Sequence, residues 1–274
     1  MPRLAVIGHP VAHSRSPAMQ NAALAALGLG EEWSYEAIDV APEDFAAKVG
    51  EMAMEGFAGA NVTVPHKHAA LALADEASAA VREIGAANTF SFLEDRTAND
   101  DVSVRPWIVA DNTDAPGLLA ALPASPRGKR ALVLGAGGAA RAAVWALAGK
   151  GAEVDVWNRT ASRAEALAAE LGGRAVEDPN QGEYALIVNT TAVGLAGEEP
   201  FEHLPLSPGC FDAAQVIVDM VYGERPSPIL AAAEAADAVT VDGLEILAQQ
   251  GALSLRIWTE REPPIDVMRA AARA

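Results

Sequence analysis

Residues 130–140 read RALVLGAGGAA, and residues 153–160 read EVDVWNRT. Arg130 to Leu134 is a short apolar run that predicts a strand. Gly135 to Ala140 supplies a tight glycine turn, and an alanine-rich run to about Lys150 predicts a helix. Glu153 to Trp157 predicts a second strand. Strand, glycine turn, helix and strand, in that order, make a G-x-G-x-x-[GA] pattern specific for a dinucleotide. Gly135 permits the turn, Gly137 lets backbone approach a pyrophosphate, and Ala140 allows close helix–strand packing. The phosphates would then sit on the N-terminus of the helix. An NAD site places a carboxylate at the end of the second strand, for the ribose 2′-hydroxyl. This chain instead has Asn158-Arg159-Thr160, with Arg163 beyond. A 2′-phosphate is met by a guanidinium fork and neutral donors. The same residues also read as a helix start, with Thr160 or Ser162 as cap and Arg163 on the surface. After a dinucleotide turn the phosphate reading is the stronger, and NADP is the expected cofactor.

Alternation continues on both sides of this unit. Downstream, strands are expected near 185–189, 216–219 and 238–240, with helices near 161–171 and 228–236. That rhythm predicts a parallel sheet covered on both faces. Upstream, Leu4 to Ile7, Trp33 to Val40, Gly59 to Val64, Ala87 to Leu93 and Trp107 to Ala110 are expected strands. Helices are expected from Ser16, with Ser16 as N-cap and Pro17 in the first turn, to Leu27. Others are expected over Pro42 to Met54, His68 to Ala74, Ser78 to Ile84 and Asp114 to Leu122. The polar, acidic stretch 94–105 reads as a surface loop or hairpin. Two helices, Leu244 to Trp258 with Gly251 inside it and Ile265 to Ala272, end the chain.

The bulk composition narrows the function classes. The 274 residues suit one large or two ordinary domains, and 51% hydrophobic content supports a substantial core built mainly of alanine, valine and leucine. Twenty Lys and Arg against 37 Asp and Glu give a net charge of −17, which disfavours nucleic acid and anionic membrane as partners. A few local cations could still hold a small anion. The single cysteine, Cys210, permits no intrachain disulfide or cysteine-based zinc cluster, and is expected to be a small buried hydrophobe. His9 and His13 stand four apart, but Pro10 argues against a helix that would align them, and no metal is expected. The apolar run at the N-terminus is too short for a signal peptide, and no stretch approaches 18 uninterrupted apolar residues. A cytoplasmic protein is expected.

Three polar clusters stand in the first half. Asn61 to Lys67 reads NVTVPHK: a strand ends in Asn61 and Thr63, proline forces an extended exit, and Lys67 lies beyond the carboxyl end of the strand, where open α/β sheets bind ligands. A lysine there could hold a carboxylate or hydroxyl, or transfer a proton; it could equally be a solvated surface lysine. His13 to Pro17, HSRSP, carries hydroxyls at Ser14 and Ser16 that suit a carboxylate or polyol, or simply cap a helix; Arg15 is expected to face solvent. Asp111 to Asp114, DNTD, reads either as a capping sequence with Asn112 or Thr113 as N-cap, or as a source of a carboxylate to pair with Lys67. Such a pair could take a proton from an alcohol while its carbon gives up hydride. Late in the chain, Asp219 to Tyr222 ends a strand. Gln249 and Gln250 are adjacent, so at most one of them points into a cleft.

Taken in order, these segments resemble the shikimate dehydrogenase family over nearly the whole chain. The family's S-x-S-P is similar to Ser14 to Pro17, and its N-V-T-x-P-x-K to Asn61 to Lys67. G-A-x-N-T matches Gly85 to Thr89, N-T-D matches Asn112 to Asp114, and G-x-G-G matches Gly135 to Gly138. N-R-T-x-x-R matches Asn158 to Arg163, D-x-x-Y matches Asp219 to Tyr222, and G-L-x-x-L-x-x-Q matches Gly243 to Gln250. The resemblance implies an α/β protein: an N-terminal substrate domain with a mixed sheet, a Rossmann-type NADP domain, and a cleft between them. It also implies that the C-terminal helices return to the first domain, giving 1–110 with 244–274, and 111–243. Lys67 and Asp114 would be the catalytic pair. Ser14, Ser16, Asn61, Thr63, Asn88 and Gln250 would hold the substrate, with Tyr222 beside them. The cofactor would meet Gly135, Ala136, Gly137, Gly138, Ala139, Asn158, Arg159, Thr160, Arg163, Thr190, Val221 and Gly243. The implied reaction is NADPH-dependent reduction of 3-dehydroshikimate to shikimate in aromatic amino-acid biosynthesis, by a monomer or homodimer, with a quinate/shikimate or related cyclic hydroxy-acid dehydrogenase as the alternative. Two departures stand out. Ala110-Asp111 precedes N-T-D where the family commonly has a glycine turn, and Ser227 replaces a threonine after a loosened loop at 222–226.

Overall fold

A computed structural model describes residues 2–93, 106–223 and 227–274. The acidic stretch 94–105 and residues 224–226 of the loosened loop lie outside them. The chain divides into two compact units, Met1–Thr113 with Leu247–Ala274, and Asp114–Ile246.

The first unit is built on strands β1 (Arg3–Gly8), β2 (Ser34–Asp39), β3 (Phe57–Val62), β4 (Glu76–Ala77), β5 (Thr89–Leu93) and β6 (Trp107–Asp111), in the order β2-β1-β3-β5-β6-β4. β1 pairs in parallel with β2 and β3, whereas β5 runs antiparallel to β3 and β6, so the sheet is mixed. Parallel neighbours need crossovers, and the helices Ser16–Ala26 and Phe45–Met54 provide them. Phe45, Val49 and Met52, at helical spacing, join Ile7, Val62 and Phe90 in one core.

Several expected boundaries move, each for a local reason. The helix expected from Pro42 opens with a 3₁₀ turn, Pro42–Asp44, and becomes α-helical only at Phe45. The third strand runs two residues earlier than expected and stops at Val62, because His66 N–H bonds back to the Thr63 carbonyl and closes a turn. Ser16 is not the N-cap of its helix. Arg15 holds that position, and the Ser14 hydroxyl accepts from the Ser16 N–H at 3.3 Å. β4 is two residues long, too short to leave a periodicity in the sequence.

The C-terminal helices are fastened by residues without side chains. A Cβ on Gly251 would fall 2.4 Å from the Met19 methyl, and the Gln20 amide donates to the Gly251 carbonyl at 3.0 Å. The last helix, Ile265–Arg273, packs on Ser16–Ala26.

The second unit holds β7 (Arg130–Leu134), β8 (Glu153–Trp157), β9 (Arg174–Ala175), β10 (Leu186–Asn189), β11 (Val216–Asp219) and β12 (Val239–Val241), in the order β12-β11-β10-β7-β8-β9, every pair parallel. The helices Gly138–Gly149 and Ala161–Leu171 cover it with Ala140, Val144, Leu147, Ala164 and Leu167. Ile229 and Leu230 of Pro228–Ala235 lie in a second core that holds Leu132, Ile187 and Ile217. Asp155, inside β8, accepts from Arg130, Arg174 and the Tyr184 hydroxyl. Burial pushes its pKa up, but these three donors outweigh that and hold the carboxyl below its ordinary range. Cys210, expected to be buried, is exposed; it ends the short 3₁₀ turn Pro208–Cys210 and belongs to neither of the two apolar clusters just described. Among the described residues, no helix is long and apolar enough to cross a membrane.

Candidate active site

In the first unit the expected residues gather at one end of the sheet. β1 and β3 are parallel, so Ser14 and Ser16, following β1, and Thr63 and Lys67, following β3, leave the sheet on the same side. Gly8 ends β1 where a Cβ would fall 2.4 Å from the Thr63 methyl, so the two strand ends meet closely. β5 is antiparallel and begins at this end, bringing Asn88 opposite the close of β3: the Asn88 carbonyl accepts from the Val62 N–H at 2.8 Å. β6 finishes here as well, with the Asp111 carbonyl accepting from the Asn88 N–H at 3.1 Å, so Asn112 and Thr113 follow directly. Ser16 is buried, Ser14, Thr63 and Lys67 are half-buried, and Arg15 is exposed.

Lys67 is the first residue of the helix Lys67–Leu73, behind His66 at the N-cap position. The His66 ring is 2% exposed, lies stacked on Phe45 with centroids 4.3 Å apart, and donates from Nε2 to the Val40 carbonyl at 2.8 Å. Burial lowers its pKa. A neutral, immobile ring therefore anchors the turn that delivers Lys67.

Asn88 and Gln250 are brought together. Asn88 Nδ2 donates to Gln250 Oε1 at 3.3 Å, and Gln250 Nε2 donates to the Leu247 carbonyl at 2.9 Å. Gln250 is buried while Gln249 is only half-buried, in keeping with one of the pair turning inward. Asn61 is 5% exposed and its amide is engaged by protein: Nδ2 reaches Ser254, Thr89 and the Asn88 carbonyl, and Oδ1 accepts from Tyr35. Thr113, directly before the helix Asp114–Ala121, brings its hydroxyl to Asn88, Gln250 and Ser254. Thr89, Thr113, Ser254 and Tyr35 join this site without having been expected there. For Ser254 a signal existed, because it stands one helical turn after Gln250 and so shares its face.

In the second unit, the expected cofactor residues follow the carboxyl ends of parallel strands. Gly135 has φ +116° and donates its N–H to the Trp157 carbonyl at 2.8 Å. A Cβ there would fall 2.6 Å from the Thr190 hydroxyl, which itself donates to the Leu134 carbonyl at 2.7 Å. Glycine is thus required on two counts. Gly137 is the N-cap of the twelve-residue helix Gly138–Gly149, is exposed, and would have nothing within 4 Å of an added Cβ. Its backbone is open to a phosphate, and the unpaired N–H groups of the first turn carry a partial positive charge. Ala136, Gly138 and Ala139 complete that turn, and Ala140 is fully buried, as close helix packing requires.

Asn158, Arg159 and Thr160 follow β8, with the Asn158 amide donating to the Thr160 carbonyl at 3.0 Å. Thr160 holds the N-cap position without a side-chain bond to the helix. Arg159 and Arg163 are exposed, and the side chain of neither has a hydrogen-bond or ion-pair partner among the described residues. Two exposed guanidinium groups, one at the strand end and one in the first turn of the helix that follows, suit a 2′-phosphate. Val221 donates to the Asp219 carboxylate at 3.1 Å, and that carboxylate also accepts from Asn189 at 2.9 Å and from the Ser227 hydroxyl. Ser227 accepts in turn from the Leu230 N–H and caps the helix Pro228–Ala235, so it holds the far end of the loosened loop. Tyr222 is half-buried just beyond. Gly243 follows β12, where a Cβ would fall 2.6 Å from the Met220 carbonyl oxygen.

Three family models match successive parts of the chain: the shikimate dehydrogenase substrate binding domain over residues 6–90, shikimate / quinate 5-dehydrogenase over 120–193, and the shikimate 5′-dehydrogenase C-terminal domain over 243–273. A shikimate dehydrogenase (NADP(+)) of Thermus thermophilus is 46% identical, covering 100% of this chain and 98% of its own. The crystal structure of a shikimate 5-dehydrogenase from the same organism, in complex with NADP(H) and shikimate, has a TM-score of 0.86 at 44% identity, covering 100% and 99% of the two chains. The shikimate dehydrogenase of Aquifex aeolicus has a TM-score of 0.89 at 34% identity, covering 100% and 98%.

Proposed function

Since this chain belongs to the shikimate dehydrogenase family, we propose that it catalyses the reversible NADPH-dependent reduction of 3-dehydroshikimate to shikimate, a step of aromatic amino-acid biosynthesis. The observation that carries this reading is the gathering of Ser14, Ser16, Thr63, Lys67, Asn88 and Gln250 at one end of the mixed sheet. Hydroxyl and amide groups in that number suit a small acid bearing several hydroxyls. Ser14 and Ser16 donate to its carboxylate; Thr63, Asn88 and Gln250 bind its ring hydroxyls, and Tyr222 adds a phenol.

NADPH, when bound, supplies the hydride. The protein handles the oxygen. Lys67 Nζ stabilises the negative charge that develops on the substrate oxygen and delivers the proton that makes it a hydroxyl. Asp114, the residue after Thr113, accepts from a substrate hydroxyl and orients the ring. In the reverse direction Lys67 takes the proton from the alcohol. The nucleotide is held by the Gly135–Ala139 turn and, at its 2′-phosphate, by Asn158, Arg159, Thr160 and Arg163.

Steady-state oxidation of shikimate with NADP, on wild type and Lys67→Ala, tests this reading. General acid–base groups contribute about 10²- to 10⁴-fold, so kcat should fall by that order. Turnover by Lys67→Ala near that of wild type would remove Lys67 from the chemistry. Quinate, with one more hydroxyl on the carbon that bears the carboxylate, is the competing substrate, and kcat/KM for both acids with NADP and NAD separates the two.

A further inference from the structure

Behind Asn88 and Gln250 lies a buried polar cluster with its own hydrogen-bond order. Thr89 and Ser254 are 0% exposed. The Tyr35 hydroxyl donates to Asn61 Oδ1 at 2.7 Å, which turns the Asn61 NH₂ toward Ser254 Oγ at 2.8 Å and Thr89 Oγ1 at 3.1 Å. Each hydroxyl is thereby made an acceptor on that side and must send its own hydrogen elsewhere. Thr89 has Asn88 Oδ1 as an acceptor at 3.1 Å, Ser254 has the Gln250 carbonyl one turn back in its helix at 3.2 Å, and the Thr89, Ser254 and Thr113 hydroxyls also meet one another at 3.0 to 3.4 Å. Asn88 Oδ1 also accepts from the Thr113 N–H at 2.7 Å. With its oxygen committed to donors, Asn88 can present only its NH₂ to Gln250 Oε1, and Gln250 Nε2 is fixed on the Leu247 carbonyl.

We propose that Thr89 and Ser254 are positioning residues of this site: the Thr89 hydroxyl, together with the Thr113 N–H, holds Asn88 Oδ1, and the Ser254 hydroxyl acts on the Gln250 side-chain amide through Thr113 Oγ1, which it meets at 3.1 Å and which reaches Gln250 Oε1 at 3.3 Å, and so the two hydroxyls set which atoms the substrate meets. The inference rests on the function proposed above. An amide flipped end for end offers a donor where an acceptor is needed, and a mismatched polar contact weakens substrate binding. The nucleotide residues lie on other strands of a separate sheet and are untouched by the flip.

The test is a set of variants, Thr89→Val, Thr89→Ser and Ser254→Ala, assayed for KM of shikimate, KM of NADP and kcat. Thr89→Val and Ser254→Ala should raise KM for shikimate about tenfold while KM for NADP stays within about twofold. Thr89→Ser keeps the hydroxyl and loses the methyl, and should restore the shikimate KM even if its Tm is lower. A purely packing role predicts the opposite pattern: lower Tm with unchanged shikimate KM, or Thr89→Ser as impaired as Thr89→Val. Either result overturns the inference. Should Thr89→Val fail to fold, Ser254→Ala and Thr89→Ser still decide. A wild-type enzyme that does not oxidise shikimate overturns the functional reading itself, whereas normal wild-type turnover with unaltered variant KM values overturns only the positioning role.

Discussion

The indole Nε1 of Trp258 donates to the carbonyl of Phe90 at 2.8 Å, across a place where residue 59 carries no side chain. It is the last of three contacts in which successive residues of one segment meet successive turns of the helix Gly243–Thr259: Asn88 with Gln250, Thr89 with Ser254, and Phe90 with Trp258. Positions 250, 254 and 258 share a helix face, so a single rigid element sets all three. Trp258 and the glycine opposite it therefore fix the height at which Gln250 meets Asn88.

Gly59→Ala should be strongly destabilising. Its Cβ would fall 2.1 Å from Trp258 Nε1 and 2.5 Å from the Phe90 carbonyl oxygen, and the second atom is backbone in a paired strand. Overpacking and the displaced indole together should cost about 3 kcal/mol. Trp258→Phe removes the indole donor from a carbonyl in a paired strand, and should cost about 1 kcal/mol. Urea unfolding of both proteins checks the order; equal stabilities would mean that the helix slides to accommodate the methyl.

The glycine turn, the second strand and its basic end were legible because each obeys a local rule: φ above zero at Gly135, a glycine at the N-cap of the helix that follows, Asn158-Arg159-Thr160 directly after β8. The polar segments of the first unit were legible for a similar reason, since strand ends expose the residues that follow them. Asp155 was harder, because its sequence position does not show that Arg130, Arg174 and Tyr184 engage it from elsewhere in the sheet. Thr89 and Tyr35 were illegible on the same ground, and Ser254 was marked only by standing one helical turn after Gln250. Each looks like an ordinary core-edge residue until tertiary contacts across 193 sequence positions, from Asn61 to Ser254, bring the cluster together. Cys210 went the other way: composition favours burial, but a short turn outside the core exposes it.

Arg159→Ala should convert a cofactor preference rather than abolish activity. A hydrogen bond to a charged group is worth about 1.5–3 kcal/mol, so KM for NADP should rise on the order of ten- to a hundredfold. KM for NAD, which lacks the 2′-phosphate, should stay near its wild-type value. Arg163→Ala should act in the same direction. Parallel rises in both KM values would show that these arginines shape the loop instead of binding the phosphate.

Asp111 is an electrostatic cost that the fold carries at neutral pH. Burial, with a smaller push from the Glu76 carboxylate, raises its pKa. A carboxyl whose folded pKa lies above its unfolded value contributes stability below the unfolded pKa, near 3.8, and loses it as pH rises through the folded one. Asp111→Asn should therefore raise Tm at pH 7, and the gain should shrink toward pH 4. A Tm difference independent of pH would place the effect in packing.

His66 should make stability fall on the acid side of neutrality. Burial depresses its folded pKa, the neighbouring His9 adds to that, and the Val40 carbonyl and Asp39 oppose it. The unfolded chain takes up a proton near pH 6.5 that the folded ring refuses, so stability is full above that value and declines as pH drops from there toward the folded pKa. The refusal has a structural cause: a ring stacked on Phe45, with Nε2 committed to the Val40 carbonyl, has no room to hydrate a second N–H. Protonation would loosen the turn that begins the Lys67 helix, so acid should disturb the lysine's placement before it unfolds the chain. His66→Gln can keep a donor for Val40 and removes the titration. Urea unfolding at pH 7.5 and 5.5 should show wild type losing more stability than His66→Gln over that interval. An equal loss in both proteins would assign the acid sensitivity to other groups.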